Sequence, residues 1–207
     1  FHKNYIQNLG VNKRKVFLHP NFINTQELIN HEESNKENYY IYAGRISKEK
    51  GVKELITSFS DAKLTNLKLK VVGTGPLLNS LQESNTNEAV EFLGPLNNEK
   101  VLNLIKNSSA VITATKLYEG QPTLLCEASS FGIPSVFPET GGISEFFPED
   151  YIYKFNQFDY KDLEKKLIDI SDPNSSSPEG FKNKEFIMNM LSEEKLINKF
   201  REILNAK

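Results

Sequence analysis

The sequence predicts an α/β fold built on a doubly wound parallel sheet, and three observations carry that expectation. From residue 38 onward, short apolar runs alternate with amphipathic stretches, and the connections between them are short. The loops at 44–51, 73–76, 94–95, 114–121 and 138–142 each follow one of those runs, so they can converge on one face of a sheet. With 207 residues, 38% of them hydrophobic, the chain can bury a core of the size required. Ligands of open parallel sheets bind outside the carboxyl ends of the strands, where the strand order reverses. The expected architecture is therefore Rossmann-like, with a C-terminal helical extension and its chemistry on those loops.

Residues 39–43 read as a buried strand, turned by Gly44-Arg45 into a helix near 52–62. Val52, Leu55, Ile56, Phe59 and Ala62 give that helix a one-sided stripe. A second strand at 67–72 ends in Gly73-Thr74-Gly75-Pro76 and leads to a helix near 77–83. A third strand at 90–93 precedes a helix at 99–107, and a fourth at 110–114 runs into the 114–121 loop. Pro122 suits the first position of the next helix, where a missing N–H costs little. Leu124, Leu125, Ala128 and Phe131 supply its apolar stripe. A fifth strand at 134–137, the turn Thr140-Gly141-Gly142, a short helix near 143–147, a sixth strand at 152–155 and a helix near 160–170 follow. Residues 172–180 (Asp-Pro-Asn-Ser-Ser-Ser-Pro-Glu-Gly) read as a linker by composition. Residues 183–206 read as one long helix or two, apolar through Phe186, Met190, Leu191, Leu196, Ile197, Phe200 and Leu204.

Composition removes several function classes. Lys plus Arg number 25 and Asp plus Glu 27, with no basic stretch of the kind that grips nucleic acid. No run approaches the ~18 uninterrupted apolar residues of a membrane span, and no signal-peptide pattern opens the chain. The single cysteine, Cys126, excludes a disulfide framework and suits a reducing cytoplasm, where it reads as packing. His2, His19 and His31 lack ligand spacing, so no metal site is expected. Phe1 is not an initiator methionine, and the chain reads as a piece of a longer one.

The candidate site centres on Glu119 and Glu127, eight residues apart in Tyr118-Glu119-Gly120-Gln121-Pro122-Thr123-Leu124-Leu125-Cys126-Glu127. Glu119 is expected in the loop at the positive end of the helix dipole. Glu127 lies five residues beyond Pro122, about 7–8 Å along the axis at 1.5 Å per residue. A helix start with free N–H groups between two carboxylates can hold an anion flanked by hydroxyl-bearing parts, which is the shape of a nucleotide sugar. Arg45 and Lys50 flank the turn Gly44-Arg45-Ile46-Ser47-Lys48-Glu49-Lys50-Gly51, where Gly44 lets backbone approach a ligand. Arg as a fork and Lys as a point charge can together clamp a diphosphate. Tyr118 and Phe92 read as packing residues, Glu145 as a first-turn acid, and Gly141-Gly142 as a tight turn whose N–H groups can also touch a sugar. Gly73-Thr74-Gly75 lacks the third glycine of a dinucleotide fingerprint, since Leu78 stands there.

Gly44-Arg45-x4-Lys50-Gly51, Val72-Gly73-x-Gly75-Pro76, Phe92-x-Gly94, Glu119-Gly120-x6-Glu127-Ala128, Gly132-x-Pro134 and Gly141-Gly142-x2-Glu145 occur in that order. Together, over about residues 39–170, they resemble the C-terminal, donor-binding domain of retaining GT-B glycosyltransferases of family four. The resemblance implies one half of a GT-B fold and a catalytic trio of Glu119, Arg45 and Lys50. Arg45 and Lys50 would hold the donor diphosphate, and Glu119 would face the transferred sugar. Backbone N–H groups around Pro122, Thr123 and Leu124 would bind a phosphate, and Glu127 the ribose hydroxyls. Gly73, Gly75, Leu93 and Leu96 would border the nucleobase, and Gly44, Gly120 and Gln121 complete the implied donor site. The donor would be a UDP- or GDP-sugar used as substrate, with no cofactor and no metal, because cations and N–H dipoles stabilise the departing diphosphate.

Two differences from the family stand out. Gln121-Pro122 replaces the frequent Phe-Gly, and Phe22 and Asn24 are substituted in a segment, His19-Pro20-Asn21-Phe22-Ile23-Asn24, that resembles the family's interdomain linker. The implied organisation is residues 1–24 as acceptor-domain remnant and linker, 25–172 as donor domain, and 173–207 as linker and C-terminal helix. A saccharide or lipid-linked acceptor would bind through the missing N-terminal domain, in envelope or exopolysaccharide synthesis. The intact protein would be cytoplasmic, with peripheral association at the inner face of the membrane left open. This fragment by itself is expected to be inactive. A non-catalytic nucleotide-sugar-binding subunit and a nucleotide-sugar epimerase remain the alternative readings.

Overall fold

Six parallel strands form one sheet in the order β3-β2-β1-β4-β5-β6. The computed structural model describes residues 1–23 and 38–205. The boundary expected at 24/25, Asn24 of the linker-like segment, His31 and Ala206 lie outside the described residues. The strands are β1 (Tyr39–Ala43), β2 (Lys68–Val72), β3 (Val90–Gly94), β4 (Ala110–Ile112), β5 (Ser135–Glu139) and β6 (Lys154–Asn156). The helices are α1 (His2–Asn8), α2 (Val52–Asp61), α3 (Leu78–Ser84), α4 (Asn98–Asn107), α5 (Thr123–Ser130), α6 (Tyr160–Asp169), α7 (Pro173–Met190) and α8 (Glu193–Asn205). Short 3-10 turns occupy Lys13–Lys15, Lys48–Lys50 and Ile143–Phe146. Each helix between β1 and β5 carries the chain from one parallel strand to the next, as the alternating pattern requires.

The order is fixed by burial. Ile41, Leu69, Val111 and Val136 are wholly buried on strands covered from both faces, so β1 and β4 form the centre. The Tyr40 hydroxyl donates to the Leu167 carbonyl of α6 at 2.8 Å, and Tyr39 does the same to Leu104 of α4 at 2.6 Å. These bonds pin a helix to each side of β1. At the far edge, Phe137, Phe147, Tyr151 and Tyr153 form a continuous aromatic cluster. The Tyr151 hydroxyl accepts from Ser135 N–H and donates to Ser135 C=O, both at 2.8 Å, at the start of β5.

The structure corrects the linker reading of 172–180. Asp172 accepts from the Asn174 N–H as N-cap, Pro173 stands in the first turn, and α7 runs on through Pro178 to Met190. Ser176, Gly180, Asn183 and Ile187 are buried at helical spacing. An ideal Cβ on Gly180 would lie 2.3 Å from the Gly132 carbonyl oxygen, and Asn183 donates to Ser129 on α5. Small residues let the two helices touch, and that stripe carries no hydrophobic periodicity to read. Of the two readings of 183–206, one long helix or two, the structure has the second, with α7 and α8 parted at Leu191-Ser192. No helix among the described residues is long and apolar enough to cross a membrane.

Candidate functional site

The strand order reverses between β1, which leads toward β2, and β4, which leads toward β5. At the carboxyl ends of these two strands lies a cleft of about 160 Å³. Tyr42, Ala43 and Gly44 reach it from the end of β1, Thr113 and Thr115 from just beyond β4, and Lys50, Glu119, Ile143 and residues 121–125 from the loops and α5. A second cleft of about 520 Å³ adjoins it through Ala43 and Gly44, lined by Arg45, residues 72–76, Pro95, Leu96 and Val101.

Pro122 stands one position earlier than expected. It is the N-cap of α5, its carbonyl accepting from the Cys126 N–H at 3.0 Å, and the helix begins at Thr123. No side chain caps this end. The N–H groups of Thr123, Leu124 and Leu125 therefore have no intrahelical acceptor, and all three residues line the first cleft.

Two glycines bring the charges together. Gly51 has φ +67°, and an ideal Cβ there would lie 1.9 Å from the Ala114 carbonyl oxygen. Only glycine permits that approach, which lays the Lys48–Lys50 turn against the end of β4. Gly141 (φ +59°) similarly abuts the Glu119 carbonyl, which accepts from the Gly142 N–H at 2.8 Å. Between them, Lys50 Nζ donates to Glu119 Oε1 at 2.5 Å, with both side chains roughly 70% buried. The Gly142 N–H, expected as one that can touch a sugar, is thus already engaged by the Glu119 loop.

The first cleft gathers Gly44, Lys50, Glu119, Gln121, Pro122, Thr123 and Leu124. The second gathers Gly44, Arg45, Gly73, Gly75 and Leu96. Leu93, Gly120 and Glu127 line neither, though Gly120 stands between two lining residues, Glu119 and Gln121. Burial holds the Glu127 carboxyl above the ordinary carboxylate range. Burial pushes the Cys126 thiol up to about 12, so it stays protonated as a packing residue should. Tyr118 is 73% exposed, contrary to the packing role expected, and stacks on the Phe1 ring. The Gln121 amide exchanges two hydrogen bonds with the backbone of Asn21, at 2.6 and 3.1 Å. No cluster of potential metal ligands occurs among the described residues. Sequence reasoning passed over Tyr42, Thr113 and Thr115, whose only signal was position at a strand end, and Ile143, which opens the 3-10 turn after β5.

A cation, an uncapped helix N-terminus and a carboxylate thus share one cleft at the switch point, which suits an anionic ligand with a hydroxyl-bearing part. The model of the family described as "Glycosyl transferases group 1" matches residues 24–185, well over half of the chain. The chain belongs to that family. Among curated relatives, the amylovoran biosynthesis glycosyltransferase AmsD of Erwinia amylovora is 28% identical over 120 residues, covering 56% of this chain and 33% of AmsD. The sulfoquinovosyl transferase SQD2 of Arabidopsis thaliana is 30% identical over 131 residues, covering 61% of this chain and 25% of SQD2. The crystal structure of Anabaena HepE in complex with UDP and glucose superposes with a TM-score of 0.85 at 14% identity, covering 99% of this chain and 61% of HepE. The chain therefore spans a quarter to a third of the two curated relatives, and its fold is that of one half of a GT-B glycosyltransferase.

Proposed function

We propose that this chain is the donor-binding domain of a retaining glycosyltransferase, taking a UDP- or GDP-sugar and transferring its hexose to a saccharide or lipid-linked acceptor. The observation that carries this reading is the first cleft, where Lys50, Glu119 and the open N–H groups of Thr123, Leu124 and Leu125 face one small space. HepE, solved with UDP and glucose, and AmsD, of amylovoran biosynthesis, support the class of donor and of pathway. In transfer, the bond between the anomeric carbon and the diphosphate oxygen breaks, and the electron pair leaves with the nucleoside diphosphate. The gained negative charge falls at the α5 N–H groups, which stand preorganised, and beside the Lys50 ammonium, so it is stabilised without asking for a metal. The acceptor hydroxyl attacks the face the diphosphate leaves, and its proton passes to the departing phosphate oxygen. Gly73, Gly75 and Leu96 in the adjoining cleft suit the nucleobase end of the donor, and Arg45 beside them its diphosphate.

Calorimetric titration of the chain with UDP, GDP and ADP tests this reading. Saturable binding of one nucleotide is expected, weakened about tenfold or more in Lys50→Ala by loss of a charge-assisted bond. Lack of binding by all three at millimolar concentration, or a Lys50→Ala affinity equal to wild type, would contradict it.

A further inference from the structure

We propose that Thr115 is a positioning residue for Glu119, holding one carboxylate oxygen so that the other meets the transferred sugar; this rests on the donor-site reading above. Thr115 lies just beyond β4, where its side chain is buried yet borders the first cleft. A hydroxyl has one proton and two acceptor sites. The Leu117 N–H donates to Thr115 Oγ1 at 3.3 Å, and Oγ1 lies 3.1 Å from Glu119 Oε1. A carboxylate only accepts, so the threonine proton goes to Glu119. Lys50 Nζ donates to the same Oε1. Oε2 is left with no hydrogen-bond partner among the described residues.

The two donors differ in what an incoming diphosphate does to them. Lys50 is a point charge with three N–H groups, and a diphosphate competes with Glu119 for it. Thr115 is neutral and buried, so a diphosphate draws on it less than on the lysine. It keeps Glu119 in place while the lysine turns to the leaving group. Its own frame is fixed: the Lys116 N–H donates to the Glu49 carbonyl at 2.8 Å, and Lys116 Nζ pairs with Glu54 at 2.6 Å. Thr115 and Lys116 therefore divide the work, one side chain holding Glu119 and the next holding the loop to α2.

The test measures the ratio of dissociation constants for UDP-glucose over UDP, and for GDP-mannose over GDP, in wild type, Thr115→Val and Thr115→Ser. Valine keeps the volume and removes the hydroxyl; serine keeps the hydroxyl. For the nucleotide that binds, the ratio is expected to rise about tenfold in Thr115→Val, the worth of one bond to a charged group, and to return toward wild type in Thr115→Ser. An unchanged ratio in Thr115→Val, with wild type binding normally, overturns the role of Thr115 and leaves the donor site standing. An equal loss for nucleotide and nucleotide sugar marks Thr115 as merely structural and overturns it as well. If wild type binds neither nucleotide, the donor-site reading falls and takes this role with it.

Discussion

Glu127 sits partly buried on α5, and burial raises its pKa above the ordinary carboxylate value. A raised pKa in the folded state means that folding favours the protonated form. As pH climbs past the ordinary value, the unfolded chain releases this proton first, so stability falls until the raised folded value is passed and stays lower above it. Glu127→Gln is therefore expected to melt higher than wild type at pH 7, with the gap closing at pH 4. An equal gap at both pH values would show that the carboxyl is not the cause. A residue that lowers stability at neutral pH fits a functional role better than a structural one. At this scale the sequence was partly legible. Acidic and basic residues at the site stood out by type and spacing, but the Lys50–Glu119 pair spans 69 positions and only the fold creates it. Thr115 carries no charge, so nothing in the sequence marked it beyond its place after a strand.

Elements with strong apolar periodicity were readable to within a residue or two. β1 was expected at 39–43 and is found there, and the expected stripe of α2 is buried from Val52 to Phe59. The failure at α7 has a physical cause. Its inner face is made of Ser176, Gly180 and Asn183, which are turn-formers by composition and close-packing residues by position. Gly180→Ala separates those two readings. On an exposed helix face alanine would gain about 1 kcal/mol over glycine. Here its Cβ would meet the Gly132 carbonyl at 2.3 Å, a backbone group that cannot swing aside. Thermal melts are expected to show a net loss of about 1–3 kcal/mol from overpacking. A variant that melts higher than wild type would mean α7 is free of α5 and acts as the linker its composition suggested.

Across the whole molecule, alternation of strand and helix was enough to announce a doubly wound parallel sheet, because each unit is local in the chain. Strand order then determines where a ligand can sit, by placing the ends of β1 and β4 side by side where the connections diverge. What the sequence could not convey is how closely the rim loops approach one another, since contacts such as Gly51 with Ala114 join residues far apart. Those contacts set Lys50 beside Glu119 and leave the start of α5 open, and the account stands on that arrangement. Its most direct test is a crystal structure of this chain grown with UDP or GDP, whichever binds. The account predicts the diphosphate in the first cleft, within about 2.7–3.2 Å of the N–H groups of residues 123–125 and of Lys50 Nζ, with the base toward Gly73 and Leu96. A nucleotide found with its phosphates away from the start of α5 would contradict it.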